Sequence, residues 1–173
     1  MVEINRAQFL RGDWTASDVS QRPPWSIDES NFVTTCRGSK QCGDCITACP
    51  EKILIGGGGS FPVVDFNLGG CTFCGKCVEA CPVEAFDSTR DQPWALKANI
   101  KETCVSMKGV ECRSCGEACE TEAINFRLVV GGVAEPVLDI EACTGCGECI
   151  GICPVDAIST INTGGSDYLI ESD

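Results

Sequence analysis

Sixteen cysteines carry the chemistry open to this chain, and they fall into four groups of four. The second group is Cys71, Cys74, Cys77 and Cys81, with Pro82 after it, and the fourth is Cys143, Cys146, Cys149 and Cys153, with Pro154 after it. Both reproduce C-x2-C-x2-C-x3-C-P, a run that binds cubane [4Fe–4S] clusters. The first group, Cys36, Cys42, Cys45 and Cys49 before Pro50, has three extra residues after its first cysteine. The third, Cys104, Cys112, Cys115 and Cys119, has five extra, and Glu120 stands in place of the proline.

The spacing has a physical reason. Three thiolates three residues apart can curl around one cubane in a loop of small and polar residues. The fourth cysteine lies in the short helical turn that follows, and the proline after it directs the chain away. A disulfide framework suits small secreted chains, and gives no reason for four equal groups. Zinc ribbons use pairs of C-x2-C knuckles rather than triplets with a distant fourth ligand. All sixteen cysteines are therefore candidate ligands, for four [4Fe–4S] clusters.

An internal repeat pairs the groups. Pro62-Val63-Val64-Asp65-Phe66 precedes the second group and Pro136-Val137-Leu138-Asp139-Ile140 precedes the fourth, whereas Ser88 to Trp94, between groups two and three, reads as a connector. Group one pairs with two and group three with four; the nested alternative joins one with four and two with three. In two-cluster ferredoxins the fourth cysteine of each run ligates the other cluster. That rule assigns Cys36, Cys42, Cys45 and Cys81 to cluster one, and Cys71, Cys74, Cys77 and Cys49 to cluster two. Cluster three takes Cys104, Cys112, Cys115 and Cys153, and cluster four takes Cys143, Cys146, Cys149 and Cys119.

These ligands must be positioned by an α+β fold of two tandem bacterial-type 2[4Fe–4S] ferredoxin-like modules, residues 31–89 and 90–173, behind an extended N-terminal segment, residues 1–30. Each module should read strand, cluster loop, short helix, strand, hairpin turn, strand, cluster loop, short helix. Gly56–Gly59 and Gly131-Gly132 sit where the hairpins turn. Leu54, Phe86, Ile124 and Ile158 each stand five residues after a fourth cysteine and are expected to pack over the clusters.

Composition narrows the function classes. Hydrophobic residues make up 43%, but without the cysteines 59 of 173 residues remain, about a third, so aliphatic packing alone makes a thin core. The formal charge is −12, which argues against a nucleic-acid binder, with its basic face to phosphates, and against docking on anionic lipid. Sixteen thiolates, offset by four cores of about two positive charges each, bring it to roughly −20, and low reduction potentials are expected. There is no histidine, no nucleotide fingerprint and no convergent acid–base pair, so enzymatic turnover is not expected. No apolar run approaches transmembrane length.

In the N-terminal segment, Asn5 to Arg11 lacks both an adjacent arginine pair and a following apolar stretch, so an export signal is not expected. Arg22-Pro23-Pro24-Trp25 is a stiff segment, read either as a strap on the first module or as a partner-docking element.

With these features together, the chain resembles the NapF family, ferredoxin-type accessory proteins encoded with the periplasmic nitrate reductase. The resemblance rests on Phe9-Leu10 near an Arg-rich start, on Arg22-Pro23-Pro24-Trp25-Ser26 and Asp28-Glu29-Ser30, and on the long third group. That group contains Glu111-Cys112-Arg113-Ser114-Cys115 and has no proline after Cys119. The first group departs from the family, since Arg37 to Gln41 is longer than its usual two-residue gap. The resemblance implies a cytoplasmic four-cluster protein that contacts the molybdenum-containing catalytic subunit before export. Its implied role is maturation of that subunit, by iron–sulfur cluster assembly or electron supply. The alternatives are a diffusible electron carrier and a subunit of a larger redox complex.

Overall fold

The computed structural model describes residues 21–164. The Asn5–Arg11 stretch and the last residues of the expected second module lie outside the described residues. Among the described residues, five short α-helices and six short strands follow one another: α1 (Glu29–Thr35), α2 (Asp44–Ala48), β1 (Leu54–Gly56), β2 (Pro62–Val64), α3 (Lys76–Glu79), β3 (Leu96–Ile100), α4 (Ser114–Glu117), β4 (Ile124–Arg127), β5 (Glu135–Leu138), α5 (Glu148–Gly151) and β6 (Ile158–Asn162). The result is α+β, with two modules of the same plan.

The second module is the complete copy. β4 and β5 form a hairpin that turns at Gly131-Gly132, with Ile124 opposite Leu138 and Arg127 opposite Glu135. β3 and β6 pair antiparallel outside it, from Leu96 opposite Asn162 to Ile100 opposite Ile158. Groups three and four occupy the β3–β4 and β5–β6 connections.

The first module keeps the hairpin, β1 against β2, turning through the Gly57–Ser60 stretch. Among the described residues, the strand expected before group one is absent. A single antiparallel bridge, Ser26 to Phe86, stands where the second module has a five-residue ladder, and α1 leads into Cys36. The reason is local: Asp28 caps α1 by accepting from the Asn31 N–H at 3.2 Å, and only Phe32 on that helix is buried. Phe32 meets Phe61 and Phe86 edge to face, with centroids 6.4 and 6.1 Å apart. The Arg22 guanidinium lies 5.2 Å from the Phe32 ring and 5.4 Å from Phe61, and pairs with Glu29.

Residues 21–30 of the N-terminal segment pack into the first module. The Val64 N–H donates to the Gln21 carbonyl, and the Ile27 N–H donates to that of Ala85. Trp25 donates from its backbone to Pro93 at 2.7 Å and from its indole to Arg90 at 3.1 Å. The Arg22–Trp25 strap and the Ser88–Trp94 connector therefore hold each other.

There are two small cores. One gathers Ile53, Leu54, Val64, Phe66 and Cys77 with Leu96, the first residue of β3. The other gathers Ala98, Ala123, Ile124, Cys143, Cys149 and Ile158, and Ile150 packs against both. Cysteines thus complete cores that aliphatic side chains alone would leave small.

Candidate metal centres

All sixteen cysteines are free thiols, and none forms a disulfide. The structure brings them together in four quartets around four cavities. Cys36, Cys42, Cys45 and Cys81 line the first. Cys49, Cys71, Cys74 and Cys77 line the second. Cys104, Cys112, Cys115 and Cys153 line the third. Cys119, Cys143, Cys146 and Cys149 line the fourth. Each quartet takes three thiols from one run and the fourth from its partner run, and the partners are one with two and three with four. Cys36 and Cys104, the cysteines ahead of the lengthened loops, reach their cavities like the rest.

Local chain geometry delivers the sulfurs. The residue after the second cysteine is a left-handed glycine in three groups, Gly43, Gly75 and Gly147, and each opens a helix of one turn that carries the third cysteine. In the third group Arg113 takes that place with φ −133°, and its guanidinium lies over the Phe126 ring. After the fourth cysteine the chain turns sharply. Lys52, Glu122 and Asp156, three residues on, all adopt positive φ.

The turn then buries two residues against the sulfurs. Leu54, Phe86, Ile124 and Ile158 each line the cavity that their own fourth cysteine serves. The residue before each of them, Ile53, Ala85, Ala123 and Ala157, is buried most completely, at 1%, 0%, 1% and 0% exposure. This second repeat position, alanine in three of four copies, was not singled out from the sequence, although the same alignment on the fourth cysteine displays it.

The donor sets fit a cubane. Among the described residues no three Cys, Asp or Glu side chains converge on a single metal-ion position; each quartet surrounds a cavity instead. Each also has at least one backbone N–H aimed at a sulfur. Gly38 donates to Cys36 at 3.4 Å, Phe73 to Cys71 at 3.4 Å, Ala157 to Cys153 at 3.2 Å and Ala98 to Cys143 at 3.4 Å. Such bonds favour the thiolate form and tune potential. Burial, with repulsion from neighbouring thiolates, pushes Cys45 and Cys149 up to about 12 and Cys71, Cys77 and Cys115 up to about 11. Cys119 differs. Burial raises it, but the Thr121 hydroxyl and the N–H groups of Ile124, Ala123 and Thr121 outweigh that and hold it below the ordinary thiol value. Buried thiols of this kind become thiolates by exchanging protons for a metal group.

The 4Fe–4S dicluster domain family matches residues 35–85 and 108–157, one match per module. A ferredoxin-type protein NapF of Haemophilus influenzae is 43% identical, over 90% of this chain and 93% of that protein. A ferredoxin-type protein NapF of Escherichia coli is 40% identical, over 91% of this chain and 94% of that protein. The chain belongs to the NapF family. A more distant relative, a ferredoxin-type protein NapG of Escherichia coli, is 31% identical over 82% of this chain. As a NapF-family member the chain is a ferredoxin-type iron–sulfur protein. Among the described residues, no helix is long and apolar enough to cross a membrane.

Proposed function

We propose that each quartet holds one [4Fe–4S] cluster, and that the chain works in the cytoplasm on the immature catalytic subunit of the periplasmic nitrate reductase. There it binds that subunit and assists its maturation before export, by cluster assembly or electron supply. Similarity to NapF proteins over nine-tenths of the chain carries this reading. The chain contributes binding and redox chemistry rather than turnover, since it has no histidine and no paired acid and base beside the quartets. An acidic chain of this kind suits a basic docking face on its partner.

The test is a transfer experiment. The protein is purified without oxygen, mixed with cluster-free catalytic subunit and separated again, and iron and sulfide are counted on each. Starting from about sixteen iron atoms per chain, four for each quartet, the expected result is iron appearing on the partner while this chain falls below that number. If all iron stays, cluster donation is wrong and electron supply replaces it. One observation favours a second reading, a diffusible low-potential carrier: the loops of quartets two and four touch through the Cys71 N–H and the Cys146 carbonyl, linking the two modules.

A further inference from the structure

Quartets two and four belong to different modules, yet their loops are bonded to each other. The Cys71 N–H donates to the Cys146 carbonyl at 2.8 Å, and the Gly70 N–H donates to Glu148 Oε2 at 2.7 Å. Trp94 clamps the pair. Its indole N–H donates to the Thr144 carbonyl at 3.2 Å, and its ring meets Phe73 and Phe66 edge to face.

The approach is too close for side chains at several points. A Cβ at Gly70 would overlap the Glu148 carboxylate, one at Gly145 the Leu96 carbonyl, and one at Gly147 the Phe66 ring. Gly145 and Gly147 also have φ of 73° and 83°, where side chains are disfavoured. The equivalent positions in group two are Phe73 and Gly75, and Gly75 faces open space. Of these contacts, Gly70 against Glu148 and Gly147 against Phe66 cross between the modules, whereas Gly145 is held against Leu96 of its own module.

The residue just before the third cysteine is Asp44, Lys76, Ser114 and Glu148 in groups one to four. Among the described residues, only the Glu148 side chain hydrogen-bonds to the loop of another quartet. Each quartet takes its fourth cysteine from its partner run, Cys81 and Cys49 in the first module and Cys153 and Cys119 in the second, which places quartet one beside two and three beside four.

We propose that Glu148 is a positioning residue for two metal sites at once: its carboxylate joins the loops of quartets two and four and lowers the reduction potential at both, and the junction orders the quartets one, two, four, three. A fixed negative charge disfavours adding an electron nearby, and its effect falls with distance. The order makes quartets one and three the two ends. This rests on the four-cluster reading.

The test is a potentiometric titration of holoprotein followed by EPR, with iron and sulfide counted on the same samples. It is run on the unaltered protein and on Glu148→Gln, Asp44→Asn and Glu111→Gln. Asp44 neighbours only quartet one, and Glu111 only quartet three, in the chain. The expected result is four steps, of which Glu148→Gln moves two upward while Asp44→Asn and Glu111→Gln each move one of the other two. If Glu148→Gln moves one step, none, or all four equally, the shared role is wrong. Fewer than four steps with fewer than four clusters' iron in the unaltered protein would instead overturn the cluster count.

Should Glu148→Gln fail to load iron, the unaltered protein decides. When it is fully reduced, the order one, two, four, three gives two centres two paramagnetic neighbours each and the end centres one. Pulsed EPR should then resolve two faster-relaxing signals and two slower ones. Four signals relaxing alike would mean two isolated pairs and overturn the junction.

Discussion

The two modules hold the same kind of quartets in different frames. The second closes with a ladder of backbone bonds, β3 against β6 over five residues. The first closes with a single bridge, Ser26 to Phe86, and fills the rest with side chains: Phe32, Phe61 and Phe86 around the Arg22 guanidinium. A backbone ladder tolerates many sequences, because its bonds do not depend on side-chain identity. An aromatic and cationic plug depends on a few residues, and each of them counts. The comparison teaches that the quartet geometry, and not the strand frame, is what the duplication preserved.

The largest expected contrast follows iron removal. With the metal chelated, both modules lose the centres of their cores, but the second retains its ladder. Hydrogen exchange monitored during chelation should show amides in residues 21–86 opening before those of β3 and β6. Simultaneous opening would mean that the ladder adds nothing to the second module's persistence.

Next comes Phe32→Ala, which should cost about 3–5 kcal/mol, since Phe32 is fully buried. Denaturant unfolding should show the loss, together with iron release from quartet one and retained exchange protection in residues 96–162. Equal losses in both modules would dissolve the distinction between them.

The smallest test compares two arginines. Arg22 is largely covered, donates to the Pro62 carbonyl and stacks on two rings; Arg22→Ala should cost about 2 kcal/mol. Arg127, exposed and paired with Glu135 across the hairpin, should cost about 0.5 kcal/mol or less as Arg127→Ala. Acid discriminates further. The hydrogen bond from Arg22 holds the Glu29 carboxyl below its ordinary value of 4.5, against a raising effect of burial. A depressed carboxyl contributes stability above its unfolded value and loses it as pH falls through the folded one. The cost of Arg22→Ala should therefore shrink below pH 4.5, and a cost unchanged on acidification would assign Arg22's contribution to the rings alone.

Much of this was legible in the residues. Cysteine spacing and the repeated Pro-Val segments revealed two modules and their hairpins, because metal ligation ties function to intervals along the chain. The residue five after each fourth cysteine followed from the same alignment. The leading strand expected in the first module gives way to a helix, because Asp28 caps Glu29–Thr35 at that place. Asp28 and Asn31 ahead of a lone buried Phe32 were the local sign of a capped helix. The junction was not legible because it is a tertiary approach: Gly70 and Glu148 meet from opposite modules.

The exchange of fourth cysteines has a consequence for synthesis. As the chain leaves the ribosome, the first run supplies three thiols and then waits, because its closing thiol, Cys81, belongs to the later run. The second quartet already has its distant member in Cys49 and closes at Cys77. In the second module the corresponding closures come at Cys149 and Cys153. Each pair of cavities is thus completed almost together, so a nascent module passes from no finished site to two within one helical turn of new chain.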